Sequence, residues 1–129
     1  MTNDLIAAAR LVLGEFALGE DLSAGSVAAA LRTEAGHIYT GISLKLDCGI
    51  GFCAEHSAIA EMLKHRETRI AAIVALSEQG IRPPCGRCRE LMLQVSPANA
   101  ATLVAIADGQ SLALRELLPH HWRAPGRGA

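Results

Sequence analysis

Three cysteines and one glutamate have the types and spacing that metal-assisted hydrolysis requires. The run Cys53-Ala54-Glu55 is followed further along the chain by Pro84-Cys85-Gly86-Arg87-Cys88. Cys85 and Cys88 are three residues apart, so on one turn of a helix both thiols can point at a common ion. Three thiolates around Zn²⁺ leave the fourth tetrahedral position open for water, which is the arrangement of a catalytic zinc site and not of a structural one.

The position of Glu55, two residues after Cys53, suits a proton shuttle. Its carboxylate can hydrogen-bond a metal-activated water without ligating the ion itself. Zinc lowers the pKa of such a water toward about 7, and the carboxylate can carry the proton to a departing amino group. This chemistry turns an amidine-like carbon into a carbonyl and releases ammonia. The alternative is an acid in the first turn of a helix, favoured only by the helix dipole.

Other uses of the cysteines remain open at this stage. Cys48 could supply a fourth sulfur and close a structural Cys₄ site, although alone it is more often a small buried hydrophobe. A C-x-x-C pair could also be a thiol redox pair. A non-catalytic, zinc-containing module that binds a base is a further alternative, but binding alone does not need the proton shuttle Glu55.

Two predicted helices position this chemistry. Apolar residues recur at helical spacing from Cys53 to about His65, and a second short helix is predicted over Gly86 to Val95. Each helix begins at its cysteines. Because a helix N-terminus exposes unpaired N–H groups and the positive end of the dipole, it lowers the cost of a thiolate. Two such helix ends meeting would bring three sulfurs together.

The remaining pattern predicts one α/β domain over residues 1–129, since the chain is too short for two independent cores. Strands alternating with helices indicate one sheet of about four or five strands covered by helices. The predicted elements are an amphipathic helix over residues 3–18, a hairpin of Ser26 to Leu31 with His37 to Leu44, strands at Arg69 to Leu76, Ala101 to Ala107 and Ser111 to Leu114, and a helical turn at Arg115 to Leu118. Gly80 to Pro84 is predicted as a loop.

Charge and hydropathy exclude several classes of protein. The formal charge is −1, with 12 basic and 13 acidic residues, so no basic field attracts a nucleic-acid duplex. No apolar run of membrane-spanning length occurs, and Asp4, Arg10 and Glu15 interrupt the apolar start, so neither a membrane span nor a signal peptide is expected. We therefore expect a cytoplasmic protein with reduced cysteines, which favours metal binding or thiol chemistry.

The motif pair C-A-E and P-C-x-x-C resembles the zinc signature of the cytidine deaminase superfamily. The resemblance implies Cys53, Cys85 and Cys88 as ligands of one Zn²⁺ per subunit and Glu55 as the catalytic acid/base. The stretches SVAAAL, HIYTGISL, PCGRCREL and RELLP resemble blasticidin-S deaminase in particular, over roughly residues 22–122. The resemblance to the superfamily further implies a three-layer cytidine deaminase-like fold, with a mixed sheet of about five strands flanked by helices. It also implies a homotetramer.

The substrate-binding pattern departs from both relatives. Cytidine deaminases typically carry Asn-x-Glu before the first ligand to hold the ribose hydroxyls, whereas this chain has Ser43-Leu44-Lys45. A lysine cannot accept the hydroxyl hydrogen bond. Blasticidin-S deaminase keeps the Asn and has an Arg shortly before its P-C-x-x-C, where this chain offers Gln79. The expected substrate is a cytosine-like or other aminopyrimidine nucleoside or base analogue; the alternative is cytidine or deoxycytidine itself.

Three thiolates around Zn²⁺ carry excess negative charge, which a nearby cation should offset. Small cytidine deaminases often place an Arg directly after C-A-E; this chain has His56 there, and Arg87 matches the C-G-R-C of the blasticidin enzyme. We expect Arg87 to donate hydrogen bonds to the thiolates, while His56 assists or packs. Residues 123–129 are expected to form a flexible tail. The candidate substrate-binding residues are Ser26, Ser43, Lys45, Ala54, Gln79 and Trp122.

Overall fold

Seven strands form one mixed sheet in the computed structural model, which describes residues 2–123. The elements, in chain order, are α1 (Thr2–Val12), β1 (Phe16–Gly19), β2 (Leu22–Thr33), β3 (Ile38–Lys45), α2 (Ala54–Lys64), β4 (Ile70–Ser77), β5 (Gly80–Ile81), α3 (Gly86–Val95), a 3₁₀ helix (Pro97–Ala101), β6 (Leu103–Ala107), β7 (Gln110–Ala113) and α4 (Leu114–Leu117). None of the helices in this part of the chain is both long and apolar enough to cross a membrane. The predicted flexible tail over residues 123–129 lies, except for its first residue, outside the described residues.

The sheet follows the order β1-β2-β4-β6-β7, with β3 paired to β2 and β5 paired to β4. Strands β4 and β6 are parallel, and the other pairs are antiparallel. The prediction of a mixed sheet flanked by helices is confirmed. The predicted count of about five strands omits the two short strands β1 and β5. Strand β5 lies within the segment Gly80 to Pro84, which was predicted as a loop.

The prediction of one helix over residues 3–18 is wrong beyond Val12. The backbone N–H of Gly14 donates to the Gly25 carbonyl at 3.0 Å, and the chain then pairs with β2 through Phe16 opposite Ala24. The apolar residues of this segment suggested a continuing helix face, but Phe16 and Leu18 are both more than half exposed. Backbone pairing with a neighbouring strand overrides the local pattern here, as strand formation depends strongly on tertiary context.

Strand β2 separates two apolar cores, because successive side chains of a strand point to opposite faces of the sheet. Ala28 and Ala30 belong to the core that α1 covers, together with Leu5 and Ala9. Alternating with them, Ala29 and Leu31 belong to the core on the other face. That second core takes its helical members from α2, α3 and α4, namely Ala54, Ala58, Ile59, Met62, Met92 and Leu114. The result is three layers with α2 and α3 together on one face of the sheet.

Gly41 sets how closely β3 approaches α2. A Cβ atom built at this position would lie 2.3 Å from the Ala58 backbone nitrogen and 2.7 Å from the Ala54 carbonyl oxygen. No real Cβ atom tolerates such contacts, so a larger residue would push α2 away from the sheet. The N-terminal turn of α2, which carries the first cysteine of the site, depends on this glycine for its position.

Buried hydrogen bonds hold the end of α3 against β4. The Asn99 side chain, 1% exposed, accepts from the Ile70 backbone N–H at 2.8 Å and donates to the Met92 carbonyl at 2.9 Å. The Thr102 hydroxyl donates to the Ile70 carbonyl at 2.7 Å. Since buried polar groups must be paired, this network specifies one arrangement of α3 on the sheet.

Candidate metal centre and active-site pocket

Two helix N-termini meet at the three candidate ligands. Cys53 is the N-cap residue of α2 and Cys85 is the N-cap residue of α3, both with extended backbone. Cys88 lies one turn further along α3 and is fully buried. The structure therefore confirms that each helix begins at its cysteines. The exposed N–H groups at both ends favour negative charge on the sulfurs.

The three sulfurs have the spacing of a tetrahedral metal site. The Sγ atoms of Cys53 and Cys85 are 3.5 Å apart, those of Cys85 and Cys88 are 3.6 Å apart, and all three lie within 4.8 Å of one another. Ligands about 2.3 Å from a tetrahedral zinc ion are separated by about 3.8 Å. None of the three is in a disulfide. This trio can therefore hold a metal ion, and thiolates are donors that zinc prefers.

The protonation of the thiols depends on this arrangement. Burial raises the pKa of Cys53 and, more strongly, that of Cys88. Burial works in the same direction at Cys85, but hydrogen bonds from the backbone of Cys88 and from the neighbouring thiols outweigh it and lower the pKa of Cys85. Two thiols that resist ionisation are adjacent to one that favours it, so a divalent cation between them would stabilise the ionised forms that bind metal.

Cys48 stands apart from this trio. It is exposed and free, and it adopts a positive φ of 60° in the segment before α2. Its sulfur does not belong to the group formed by Cys53, Cys85 and Cys88. Within residues 2–123 the group of cysteines that could hold a metal ion therefore has three members and not four.

Glu55 lies in the first turn of α2 and is only 4% exposed. Burial raises the pKa of its carboxyl group above the ordinary value, and a hydrogen bond with Cys88 opposes that rise. A buried carboxyl group with a raised pKa holds its proton more readily than an exposed one, as a group that returns a proton to a substrate must. Its burial therefore suits acid/base chemistry better than a role as a helix-capping charge.

A cavity of about 540 Å³ opens beside the thiols. Cys53, Glu55 and Cys85 contribute to its wall, and the size suits a small organic ligand. The structure brings five further predicted residues to the same wall, namely Ser26, Ser43, Lys45, Ala54 and Arg87. Two of the three predicted metal ligands, the predicted acid/base and several substrate-binding candidates thus line one cavity, while Cys88 is buried behind its wall.

The two serines of this cavity belong to the neighbouring strands β2 and β3. The Ser43 hydroxyl oxygen accepts a hydrogen bond from the Val27 backbone N–H at 3.0 Å and lies 3.4 Å from the Ser26 hydroxyl oxygen. Ser43 therefore helps to join β3 to β2 at the cavity wall, and part of its capacity to accept hydrogen bonds is already used.

Gln79 and Trp122 lie outside this cavity. Gln79 lines an adjoining cavity of about 230 Å³, which shares Ser26, Val27 and Arg82 with the first. Trp122 is 55% exposed, and its indole N–H donates to Glu90 of α3 at 2.8 Å. Within one chain, the structure therefore does not bring either side chain to the thiols.

His56 lies behind the cavity wall. Its ring stacks on that of Phe52, with centroids 6.4 Å apart, and its Nε2 atom is buried without a hydrogen-bond partner in the described chain. Burial lowers the pKa of His56, and the nearby charge of Arg87 lowers it further. Arg87 itself lines the cavity. Among the described residues its side chain makes no hydrogen bond to the thiols, so a contact of Arg87 with metal-bound thiolates stays a prediction.

Sequence reasoning missed Arg82 and Phe52 as cavity residues. Arg82 precedes Pro83-Pro84 and is held by its backbone N–H, which donates to the Ala75 carbonyl at 2.8 Å. Phe52 pairs with Leu44 through two backbone hydrogen bonds of 2.9 and 3.0 Å. The signal that could have found them is their position, since each lies within three residues of a candidate ligand.

Comparisons with known proteins agree with this geometry. No protein-family model matches the chain. Over 98 residues the chain is 31% identical to a cytidine deaminase from Halalkalibacterium halodurans, and the alignment covers 72% of this chain and 74% of that protein. The chain belongs to the cytidine deaminase family. This family membership rests on sequence identity, and is therefore independent of the geometry of the three thiols and the buried glutamate.

Solved cytidine deaminases also share its fold. The enzyme from Mycobacterium tuberculosis superimposes with a TM-score of 0.77 at 24% identity, covering 92% of this chain and 94% of that one. The enzyme from Burkholderia pseudomallei gives a TM-score of 0.75 at 26% identity, covering 93% and 98% respectively. The expected cytidine deaminase-like α/β architecture is thereby confirmed.

Proposed function

We propose that this cytidine deaminase family member is a zinc-dependent hydrolytic deaminase that releases ammonia from a cytosine-like or other aminopyrimidine nucleoside or base analogue. One observation supports it most directly. A trio of thiols with contacts of 3.5 and 3.6 Å lies beside the buried carboxyl group of Glu55, and Cys53, Cys85 and Glu55 line one ligand-sized cavity. Hydrolysis at an amidine carbon requires this combination of a metal site and a proton carrier.

In this proposal Cys53, Cys85 and Cys88 hold one Zn²⁺ per chain. When bound, zinc would supply a Lewis acid that lowers the pKa of a water molecule toward about 7. Glu55 accepts a proton from the attacking water and delivers it to the departing amino group. The water oxygen bonds to the amidine carbon, the bond from that carbon to the amino nitrogen breaks, and the products are a carbonyl compound and ammonia.

Replacing Glu55 by Gln tests the acid/base role. Glutamine has nearly the same shape but cannot accept and return a proton, so Glu55→Gln should lower the rate of ammonia release by at least about 10²-fold. The zinc content should stay unchanged because Glu55 is not a ligand in the proposal. Ammonia would be measured on cytidine, deoxycytidine, cytosine, isocytosine, N4-substituted cytidines, blasticidin S and guanine-like bases. A variant as active as the wild type would contradict the assignment.

The exact substrate within the aminopyrimidine class is the finer part of the proposal. The name of the Halalkalibacterium halodurans relative supports cytidine as a substrate to test. Ser43 and Lys45, where cytidine deaminases typically have Asn and Glu, favour a substrate without ordinary ribose recognition. The stretch PCGRCREL supports the blasticidin-S deaminase-like subtype, which blasticidin S in the panel tests directly.

We further propose that the protein acts as a homotetramer in the cytoplasm. Large apolar side chains that one chain leaves exposed support the assembly, among them Leu11, Phe16, Leu18 and Ile50. A metal-binding thiol trio requires reduced cysteines, and the cytoplasm keeps thiols reduced. The proposed partner is thus the small-molecule substrate together with further copies of this chain, with no role for a nucleic-acid duplex.

A further inference from the structure

Three cations line the cavity beside the thiols, namely Lys45, Arg82 and Arg87. They come from three different parts of the chain, since Lys45 ends β3, Arg82 follows β5 and Arg87 lies in α3. Within residues 2–123, none of the three side chains makes an ion pair or a hydrogen bond with another residue. Their N–H donors are therefore available to a ligand.

The same cavity offers few hydrogen-bond acceptors. Among the described residues of its wall, Glu55 is the one carboxyl group, and the proposed chemistry already uses it. The Ser43 hydroxyl oxygen accepts from the Val27 backbone. Neutral sugar hydroxyls are commonly held by acceptors, whereas carboxylate and phosphate groups offer acceptors only and need donors. The wall thus matches a ligand that is rich in acceptors.

The charge of a zinc site accounts for one of the three cations in the wall and leaves two without an assigned role. Zn²⁺ with three thiolates carries a net charge of −1, and Arg87, between two of the ligands in sequence, is placed to offset it. Lys45 and Arg82 then remain as two positive charges in the cavity wall, with Glu55 as the opposing carboxyl group. Arg82 also borders the adjoining cavity, whose wall includes Glu15 and Glu78, but neither carboxylate forms an ion pair with it in the described chain.

We propose that the substrate is an aminopyrimidine carrying a carboxylate or a phosphate group, and that Lys45 and Arg82 bind this anionic group; the inference rests on the deaminase function proposed above. The planar guanidinium of Arg82 can form two parallel hydrogen bonds with either group, and Lys45 adds a compact charge. The lysine that stands where cytidine deaminases typically have a ribose-binding glutamate then has a positive role, since it selects an anion.

The test compares three substrates that differ in one group, namely cytidine, cytidine 5′-monophosphate and cytidine 5′-carboxylic acid. For the wild type, kcat/KM for an anionic substrate should exceed that for cytidine by at least about tenfold, because hydrogen bonds between charged groups are stronger than those between neutral groups. Whichever anion is preferred identifies the group. The preference should decline as ionic strength rises, since salt screens partly exposed charges.

Variants locate the effect. Lys45→Gln and Arg82→Gln should each lower the ratio of anionic to neutral kcat/KM by about tenfold. Lys64→Gln is the matched control, because Lys64 lies at the far end of α2, is paired with Glu61 and does not line the cavity. The control should keep the wild-type ratio.

A binding measurement separates this inference from the proposed function. Calorimetric titration of cytidine 5′-monophosphate and of cytidine into zinc-loaded Glu55→Gln protein reports recognition without turnover. If the anion binds more tightly than cytidine, and Arg82→Gln abolishes that difference, the anion site is supported. This conclusion would hold even if the wild type released no ammonia from any substrate, a result that would contradict the deaminase proposal alone. Deamination of cytidine with no gain for either anion, or equal binding of both ligands, would overturn the anion site.

Discussion

At the scale of single residues, the metal centre depends on which cysteines are ligands. Cys88 is buried one turn into α3, within reach of Cys85, whereas Cys48 is exposed and separate. A structural site would require all four thiols, while the catalytic arrangement requires three and an open position.

Two cysteine variants distinguish these arrangements. Cys48→Ala should retain about one zinc ion per chain and its deaminase activity, whereas Cys88→Ala should lose zinc because no other described thiol is near enough to replace it. Zinc would be quantified with a chromophoric chelator after gel filtration. Cys85→Ser, at an exposed position, provides a second ligand variant should Cys88→Ala fold poorly. Loss of zinc from Cys48→Ala would contradict the three-ligand site.

The grouping of the three cysteines beside Glu55 could be predicted because their spacing along the chain is local information. A cysteine at the start of a helix, a second pair one turn apart and a carboxylate two residues away are all visible in the sequence. Arg82 was missed, and Gln79 and Trp122 lie elsewhere, because the side chains that reach a cavity depend on how distant strands pair. Arg82 lies close to Cys85 in sequence, but its place in the cavity wall also depends on the contact of its backbone with Ala75 of β4, which that closeness does not show.

At the scale of elements, the approach of β3 to α2 determines where the first ligand lies. The close contact at Gly41 allows the sheet to support the first turns of α2, including the carbonyl of Ala54. The start of β3 is joined to the chain just after α2 by a second local feature. His37 and Tyr39 form a hydrogen-bonded cluster with Glu67 there.

Gly41→Ala should lower the free energy of unfolding by about 1 to 3 kcal/mol, because the new methyl group would overlap the backbone of α2. It should also weaken zinc binding through displacement of Cys53. Urea denaturation of the zinc-loaded protein measures the first effect. Gly19→Ala is the control, since a Cβ atom there meets only Leu22 at an ordinary 3.5 Å. Equal stability of the two variants would contradict the packing described for Gly41.

The Glu67 cluster predicts a pH dependence of stability. Hydrogen bonds from Tyr39 at 2.5 Å, then from Thr33 and His37, lower the pKa of Glu67 to about 2, and the same contact raises the pKa of Tyr39 to about 12. Because the pKa of Glu67 is depressed on folding, its contribution is present above its unfolded value of about 4.3 and is lost as the pH falls toward 2. Because the pKa of Tyr39 is raised, its contribution is present below about 10 and is lost as the pH rises toward 12.

Comparison of the wild type with Glu67→Gln isolates this effect, since any stabilisation by zinc is common to both. The difference in unfolding free energy should be constant between about pH 6 and 9 and should shrink below about pH 4. Urea denaturation at several pH values measures it. A difference that stayed the same at pH 3 and pH 7 would show that the charge of Glu67 does not stabilise the fold.

Helices α2 and α3 were predicted well because the spacing of their apolar residues and the cysteine at the start of each indicate the same helix. The failure at β1 has a physical cause, since four residues pair with β2 by backbone hydrogen bonds while their side chains stay exposed. Such an edge strand leaves no pattern of burial in the sequence. The two-residue strand β5 is too short to produce a pattern at all.

At the scale of the whole molecule, the alternation of strands with helices along the chain predicted one sheet covered by helices, and the two cores on its opposite faces confirm it. The order of strands could not be predicted, because the parallel pairing of β4 with β6 joins segments separated by α3. Several large apolar side chains remain exposed on the single chain, including Leu11 at 87% and Ile50 at 67%.

Association of chains would cover this apolar surface. We expect sedimentation equilibrium at micromolar concentration to give four times the mass of one chain, as the proposed homotetramer requires. Burying exposed leucine and isoleucine side chains is favourable by about 25 cal/mol for each Å² removed from water. A monomeric mass at that concentration would remove the tetramer from the account and leave the metal centre unaffected.

The coordination of zinc tests the central claim most directly, because the proposed hydrolysis requires three protein sulfurs and one position for water. X-ray absorption at the zinc edge of the zinc-loaded wild type measures ligand type and distance together. We predict three sulfur atoms at about 2.3 Å and one oxygen or nitrogen atom at about 2.0 Å. Four sulfur ligands would contradict the account, since the ion would then have no place for the attacking water.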